Sequence, residues 1–63
     1  MILENIERLC RERKISIAAL EREAGIGNGV IRRWGELNPR VDLLKRVADR
    51  LEVSVDELLR DAG

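Results

Sequence analysis

Asn28, Gly29, Arg32 and Arg33 stand at i, i+1, i+4 and i+5 in the stretch Gly27-Asn-Gly-Val-Ile-Arg-Arg-Trp34. A helix through them would gather all four on one face. That face offers one amide and two guanidinium groups and no carboxylate. Its chemistry is paired hydrogen-bond donation and acceptance: an arginine fork matches O6 and N7 of guanine, and an asparagine amide matches N6 and N7 of adenine, both displayed in the major groove of double-stranded DNA. Gly29, without a side chain, would let the backbone come close to a duplex. Asn28 fits either an adenine edge or a phosphate at the helix start. Val30 beside them is placed to touch a thymine methyl or to close the rim of the core.

Other chemistries are poorly supplied. The chain has two serines, Ser16 and Ser54, and no histidine, tyrosine or threonine, so a nucleophile and its base cannot be assembled in any familiar way. Both serines precede apolar helical patterns, where a hydroxyl caps a helix. The lone Cys10 excludes an internal disulfide and a multi-cysteine zinc site, and its place beside Leu3 and Ile6 marks it as a small core residue. Glu4 to Arg8, Glu7 to Arg11 and Asp56 to Arg60 are i, i+4 pairs of a solvated helix surface. No enzyme activity, cofactor, metal or small-molecule ligand is expected.

To present such a face, the chain needs two helices crossing steeply over a tight turn. Ser16 can cap the first, and Ile17, Leu20 and Ala24 recur at i, i+3 and i+7 along one side of it. Gly25 follows where a left-handed residue ends a helix without a Cβ clash. Ile26 fills the corner. The second helix of the unit is expected over about residues 27–36, with Ile31 and Trp34, the only aromatic residue, turned inward.

Three further helices complete an all-α reading. The first runs from about Ile2 to Arg13 with Leu3, Ile6, Leu9 and Cys10 inward. After a loop from Gly35 to Arg40, another spans about Val41 to Leu51, burying Leu44, Val47, Ala48 and Leu51. The last begins after Ser54 with Val55, Leu58 and Leu59 inward, and Asp56 and Glu57 suit the positive end of its dipole. Sixty-three residues make one domain, 1–63, with no repeat or linker. No apolar run approaches the ~20 residues of a membrane span and no signal-peptide pattern opens the chain, so a soluble, cytoplasmic protein without a membrane partner is expected.

Ile15-Ser16, Leu20, Ala24-Gly25-Ile26, Asn28, Ile31, Trp34, Pro39, Leu44-Lys-Arg-Val-Ala48 and Val53-Ser-Val-Asp-Glu-Leu-Leu59 together resemble the Cro and lambda-repressor-type helix-turn-helix family, also called the xenobiotic-response-element family. The resemblance covers nearly the whole chain. It implies a five-helix lambda-repressor-like domain that binds double-stranded DNA in a sequence-specific way, as a transcriptional regulator or repressor. Departures are local. Many relatives carry Gln after the cap serine, where this chain has Ile17. Gly27 replaces a Ser or Thr cap, and Arg40 stands where relatives place a small hydroxyl.

Within that frame Asn28, Gly29, Arg32 and Arg33 are the candidates for base reading. Phosphate would be held by Ser16, Ile17 and Gly27 at the helix starts, where backbone N–H groups are free, and by Asn38 and Arg40 before the fourth helix. Arg22, Lys45 and Arg46 are better taken as a solvated face, and Trp34 as core. Formal net charge is zero, with 12 basic and 12 acidic residues, but it is segregated. Residues 26–47 hold five basic and two acidic side chains, and residues 48–63 hold two and five. The neutral total leaves a second reading, a protein-interaction module docking through Val30, Leu37 and Val41. Ten Arg against two Lys, with no Gln, Thr, His, Phe or Tyr, is a bias that a designed protein or a GC-rich genome would produce. The chain would act as a monomer or weak homodimer on DNA.

Overall fold

Three of the helices in this chain stop in the same way, at a left-handed residue followed by an apolar one. In the computed structural model, which describes residues 2–60, helix α1 (Ile2–Glu12), α2 (Ile17–Ala24) and α3 (Val41–Leu51) end at Lys14, Gly25 and Glu52, with φ of 55°, 74° and 60°. The next residue then donates its N–H to a carbonyl five positions back: Ile15 to Cys10 at 3.0 Å, Ile26 to Glu21 at 2.9 Å and Val53 to Ala48 at 3.0 Å. This closure satisfies the last carbonyls of each helix and tucks an apolar side chain against its end.

Two of these stops lead directly into a capped start. The Ser16 hydroxyl accepts from the Ala19 N–H at 3.0 Å to open α2, and the Ser54 hydroxyl accepts from the Glu57 N–H at 3.2 Å to open α4 (Val55–Leu59). After Gly25 and Ile26, however, the corresponding position is Gly27, which has no side chain to cap with.

There the expected helix over about 27–36 does not form as an α-helix. Asn28, Gly29 and Val30 make a turn, and only Ile31–Gly35 is helical, in the tighter 3-10 form. The domain therefore has four α-helices and one 3-10 helix among the described residues, not five α-helices. The cause is local: Gly29 adopts φ +88°, which an α-helix forbids, and glycine in a helix interior costs about 1 kcal/mol relative to alanine.

The core gathers Ile6, Leu9, Cys10, Leu20, Ile31, Trp34, Leu44, Val47, Ala48, Leu51 and Leu58. α1 packs against the 3-10 helix and α4, while α2 packs against α3. Trp34 is core, as its spacing from Ile31 indicates. Leu59 corrects the expectation for the last helix, because it is exposed while Leu58 is fully buried; five residues of α4 provide only a narrow buried stripe.

Two buried polar residues had no apolar period to reveal them. Asn5 on α1 donates both amide hydrogens, to the Leu58 carbonyl at 2.7 Å and the Arg60 carbonyl at 2.6 Å. It thereby holds the open end of α4. Glu21 on α2 is the other, at 3% exposure. Burial pushes the Cys10 thiol up, and the nearby Arg13 only partly opposes it. No helix is long and apolar enough to cross a membrane among the described residues.

Candidate nucleic-acid interface

The donor-rich face is built on a turn and one short helix. Asn28 lies at the start of the turn and is exposed, Gly29 follows, and Arg32 and Arg33 project from the 3-10 helix into solvent. The four residues expected on one helical face are thus divided between two conformations. A 3-10 helix turns every three residues, so Arg32 and Arg33 point about a third of a turn apart.

The backbone around them is held from beneath. Glu21 Oε1 accepts the Gly29 N–H at 3.0 Å, and Glu21 Oε2 accepts the Ile31 N–H at 2.9 Å. Below these contacts Ile31 is fully buried and Trp34 nearly so. A Cβ on Gly29 would meet no atom within 4 Å, so the surface there is open, and the glycine is required by its φ rather than by crowding.

The guanidinium groups of Arg22, Arg32 and Arg33 have no acceptor among the described residues. Elsewhere most arginines do. Arg8 meets Glu12 at 3.4 Å, Arg40 meets Asp42 at 3.2 Å, Arg60 meets Glu57 at 3.9 Å, and Arg50 pairs with Glu23. Arg46 donates to the Gly25 carbonyl at 3.2 Å. That bond revises its place as a merely solvated residue: it ties α3 to the end of α2. Lys45 is exposed.

Two shallow grooves flank the arginines. On one side Arg33 shares a groove with Val30, Leu37, Asn38 and Arg40. On the other Asn28 shares one with Ala18, Arg22 and Ile26. The structure therefore brings Arg33 together with Asn38 and Arg40, and Asn28 together with Arg22. In the sequence Arg22 falls on a solvated face, because nothing in the α2 pattern marks it off from the neighbouring charged residues; the groove it shares with Asn28 revises that place. Arg32 lines neither groove.

At the start of α2, Ser16 is exposed and its hydroxyl oxygen is engaged by Ala19, which leaves its O–H free to donate outward. The N–H groups of Ile17 and Ala18 lie in the first turn, where no intrahelical acceptor exists. Gly27 is exposed and bare. Arg40 precedes α3 in extended conformation and makes no capping bond, and its side chain is 78% exposed despite the contact with Asp42. Leu37 and Val41 are exposed nearby, at 60% and 79%.

Two helices joined through a left-handed glycine, with an uncompensated guanidinium pair on the second and a core completed by α1, α3 and α4, define a helix-turn-helix DNA-binding domain. The chain belongs to the family described as the Cro/C1-type HTH DNA-binding domain, which matches residues 5–62. Comparison with curated proteins and with solved structures finds no match.

Proposed function

We propose that this domain reads a short double-stranded DNA site through the major groove and regulates transcription, as a repressor in a natural setting. Arg32 and Arg33 donate to base edges, and Gly29 allows close approach. Asn28 pairs with an adenine or bonds a phosphate. Backbone phosphates are held on one side by Ser16, the Ile17 N–H, Gly27 and Arg22, and on the other by Asn38 and Arg40. The observation that carries this reading is the exposed, acceptor-free state of Arg32 and Arg33 on the second helical element of a helix-turn-helix domain.

Affinity is limited by size. A single module of this kind covers about 600–1,000 Å², so the protein binds as a monomer of modest affinity or a weak homodimer on a two-fold site. Selection from a randomised duplex pool near 100 mM salt tests the assignment, with an Arg32→Ala, Arg33→Ala variant run in parallel. A short enriched motif, lost by the variant, is expected; replacing Arg32 alone should cost about 1–3 kcal/mol and relax one base position. No enrichment by the unmodified protein would refute base reading.

The exposure of Leu37 and Val41 supports a second reading, a protein-docking face on the same side. Under it, Leu37→Glu abolishes partner binding and the protein shows no salt-sensitive binding to DNA.

A further inference from the structure

Glu21 is an odd residue to find beneath a DNA-facing surface. Its carboxylate is almost fully buried, no lysine or arginine pairs with it among the described residues, and its two oxygens are spent on two backbone amides, Gly29 and Ile31. A buried carboxylate is costly unless it is fully hydrogen-bonded, so its geometry is fixed by what it holds. What it holds is the entrance to the reading element. The two amides bracket Val30, one inside the turn and one at the first residue of the 3-10 helix.

We infer that Glu21 is the positioning residue of the reading surface: it sets the angle and register at which Asn28, Arg32 and Arg33 are offered to the base edges. The inference rests on the DNA-reading proposal above.

Three observations converge on it. The residue that would ordinarily cap this element, at position 27, is a glycine. The residue that precedes the 3-10 helix, Val30, makes no capping bond. Gly29, at φ +88°, sits in a conformation whose flexibility would otherwise leave the turn free to rearrange. Glu21 supplies from α2 the acceptor that the element lacks in its own sequence. Because it comes from the neighbouring helix, it also fixes the 3-10 helix relative to α2 and hence relative to the phosphate contacts at Ser16 and Ile17. Base-edge hydrogen bonds depend steeply on distance and angle, so a loosened turn would lose base contacts while leaving charge attraction to the phosphates in place.

The test separates these two kinds of binding. Glu21→Gln keeps the shape but turns one acceptor into a donor facing an N–H. Affinity for the selected DNA site and for a scrambled duplex is measured by fluorescence anisotropy at one salt concentration and at a temperature where circular dichroism shows each protein folded. Ser54→Ala, which weakens a remote cap, controls for lost stability alone. Amide proton shifts of Gly29 and Ile31 report whether the clamp has opened.

The expected result is a tenfold or greater fall in affinity for the selected site, the scale of one lost bidentate base contact. Affinity for scrambled DNA should stay within about twofold and the Ser54→Ala ratio should not change. A selected-to-scrambled ratio in Glu21→Gln equal to that of the unmodified protein, with the Gly29 and Ile31 amides shifted, overturns the inference and leaves base reading intact. If the unmodified protein itself prefers no sequence, base reading fails and the inference falls with it. Should Glu21→Gln not fold, Glu21→Asp, whose shorter side chain cannot span both amides, takes its place with the same two outcomes.

Discussion

Replacing Glu52 with glycine should make the protein more stable. Glu52 ends α3 at φ 60°, and the left-handed conformation costs a residue with a Cβ about 1–2 kcal/mol. Glycine removes that cost but gives the unfolded chain extra freedom, a loss of about 0.4–1 kcal/mol. A negative charge at the C-terminal end of a helix is itself unfavourable, and its removal returns about 0.3 kcal/mol at such an exposed position. The net gain for Glu52→Gly is about 1 kcal/mol.

Lys14, which ends α1 at φ 55°, should respond less. Its positive charge suits the helix end, so the same term changes sign and Lys14→Gly should gain about 0.5 kcal/mol. For 63 residues, a melting entropy of about 2.1 cal/mol/K per residue makes 1 kcal/mol equal to roughly 8 °C in Tm. Thermal and urea unfolding followed by Trp34 fluorescence, with the double variant tested for additivity, gives the measurement. Glu52→Ala is the deciding control, since alanine removes the charge but keeps the backbone cost. If alanine stabilises as much as glycine, or if Glu52→Gly lowers Tm, the backbone argument is wrong.

Asp42→Asn should tighten DNA binding, because it releases Arg40 from its exposed carboxylate contact; a titration at two salt concentrations should show equal or weaker affinity if Arg40 does not reach phosphate. Asn5→Ala should cost about 1–3 kcal/mol in urea unfolding by leaving the Leu58 and Arg60 carbonyls without their donor, and a smaller loss would mean that water replaces the amide. Cys10 should resist thiol reagents in the folded protein, at a rate that follows denaturant-induced opening. Because its thiol is raised in the fold, the unfolded chain ionises first as pH rises. Stability should therefore be fully retained below about pH 8.5 and fall above it, and Cys10→Ala should lack that decline.

The parts of this structure that were legible in the sequence are those governed by apolar period and by capping chemistry. Leu20, Ile31, Trp34, Leu44, Val47 and Leu51 are buried where a helical stripe puts them, and Ser16 and Ser54 cap as their types require. What the sequence concealed was governed by long-range polar contact. Asn5 has no local signal, since its partners lie 53 and 55 residues away. Glu21 looks like any other charge of a surface helix until Gly29 and Ile31 fold back onto it. The 3-10 form of Ile31–Gly35 had a visible cause in Gly27 and Gly29, but a 3.6-residue period drawn through Ile31 and Trp34 hides it, because i and i+3 meet in both helix types.

Asn5 also has a consequence for the covalent layout of the chain. Its amide binds carbonyls of residues 58 and 60 from the first turns of α1, so the beginning of α1 lies against the end of α4. The order in which the helices are strung together is then separable from their arrangement: a short linker from Arg60 to Ile2, with new ends opened in the loop at Leu37 to Pro39, keeps every described helix and its cap while moving the breaks beside the 3-10 helix. In such a circular permutant the Asn5 contact, which spans 53 and 55 residues in the unpermuted chain, becomes a local one.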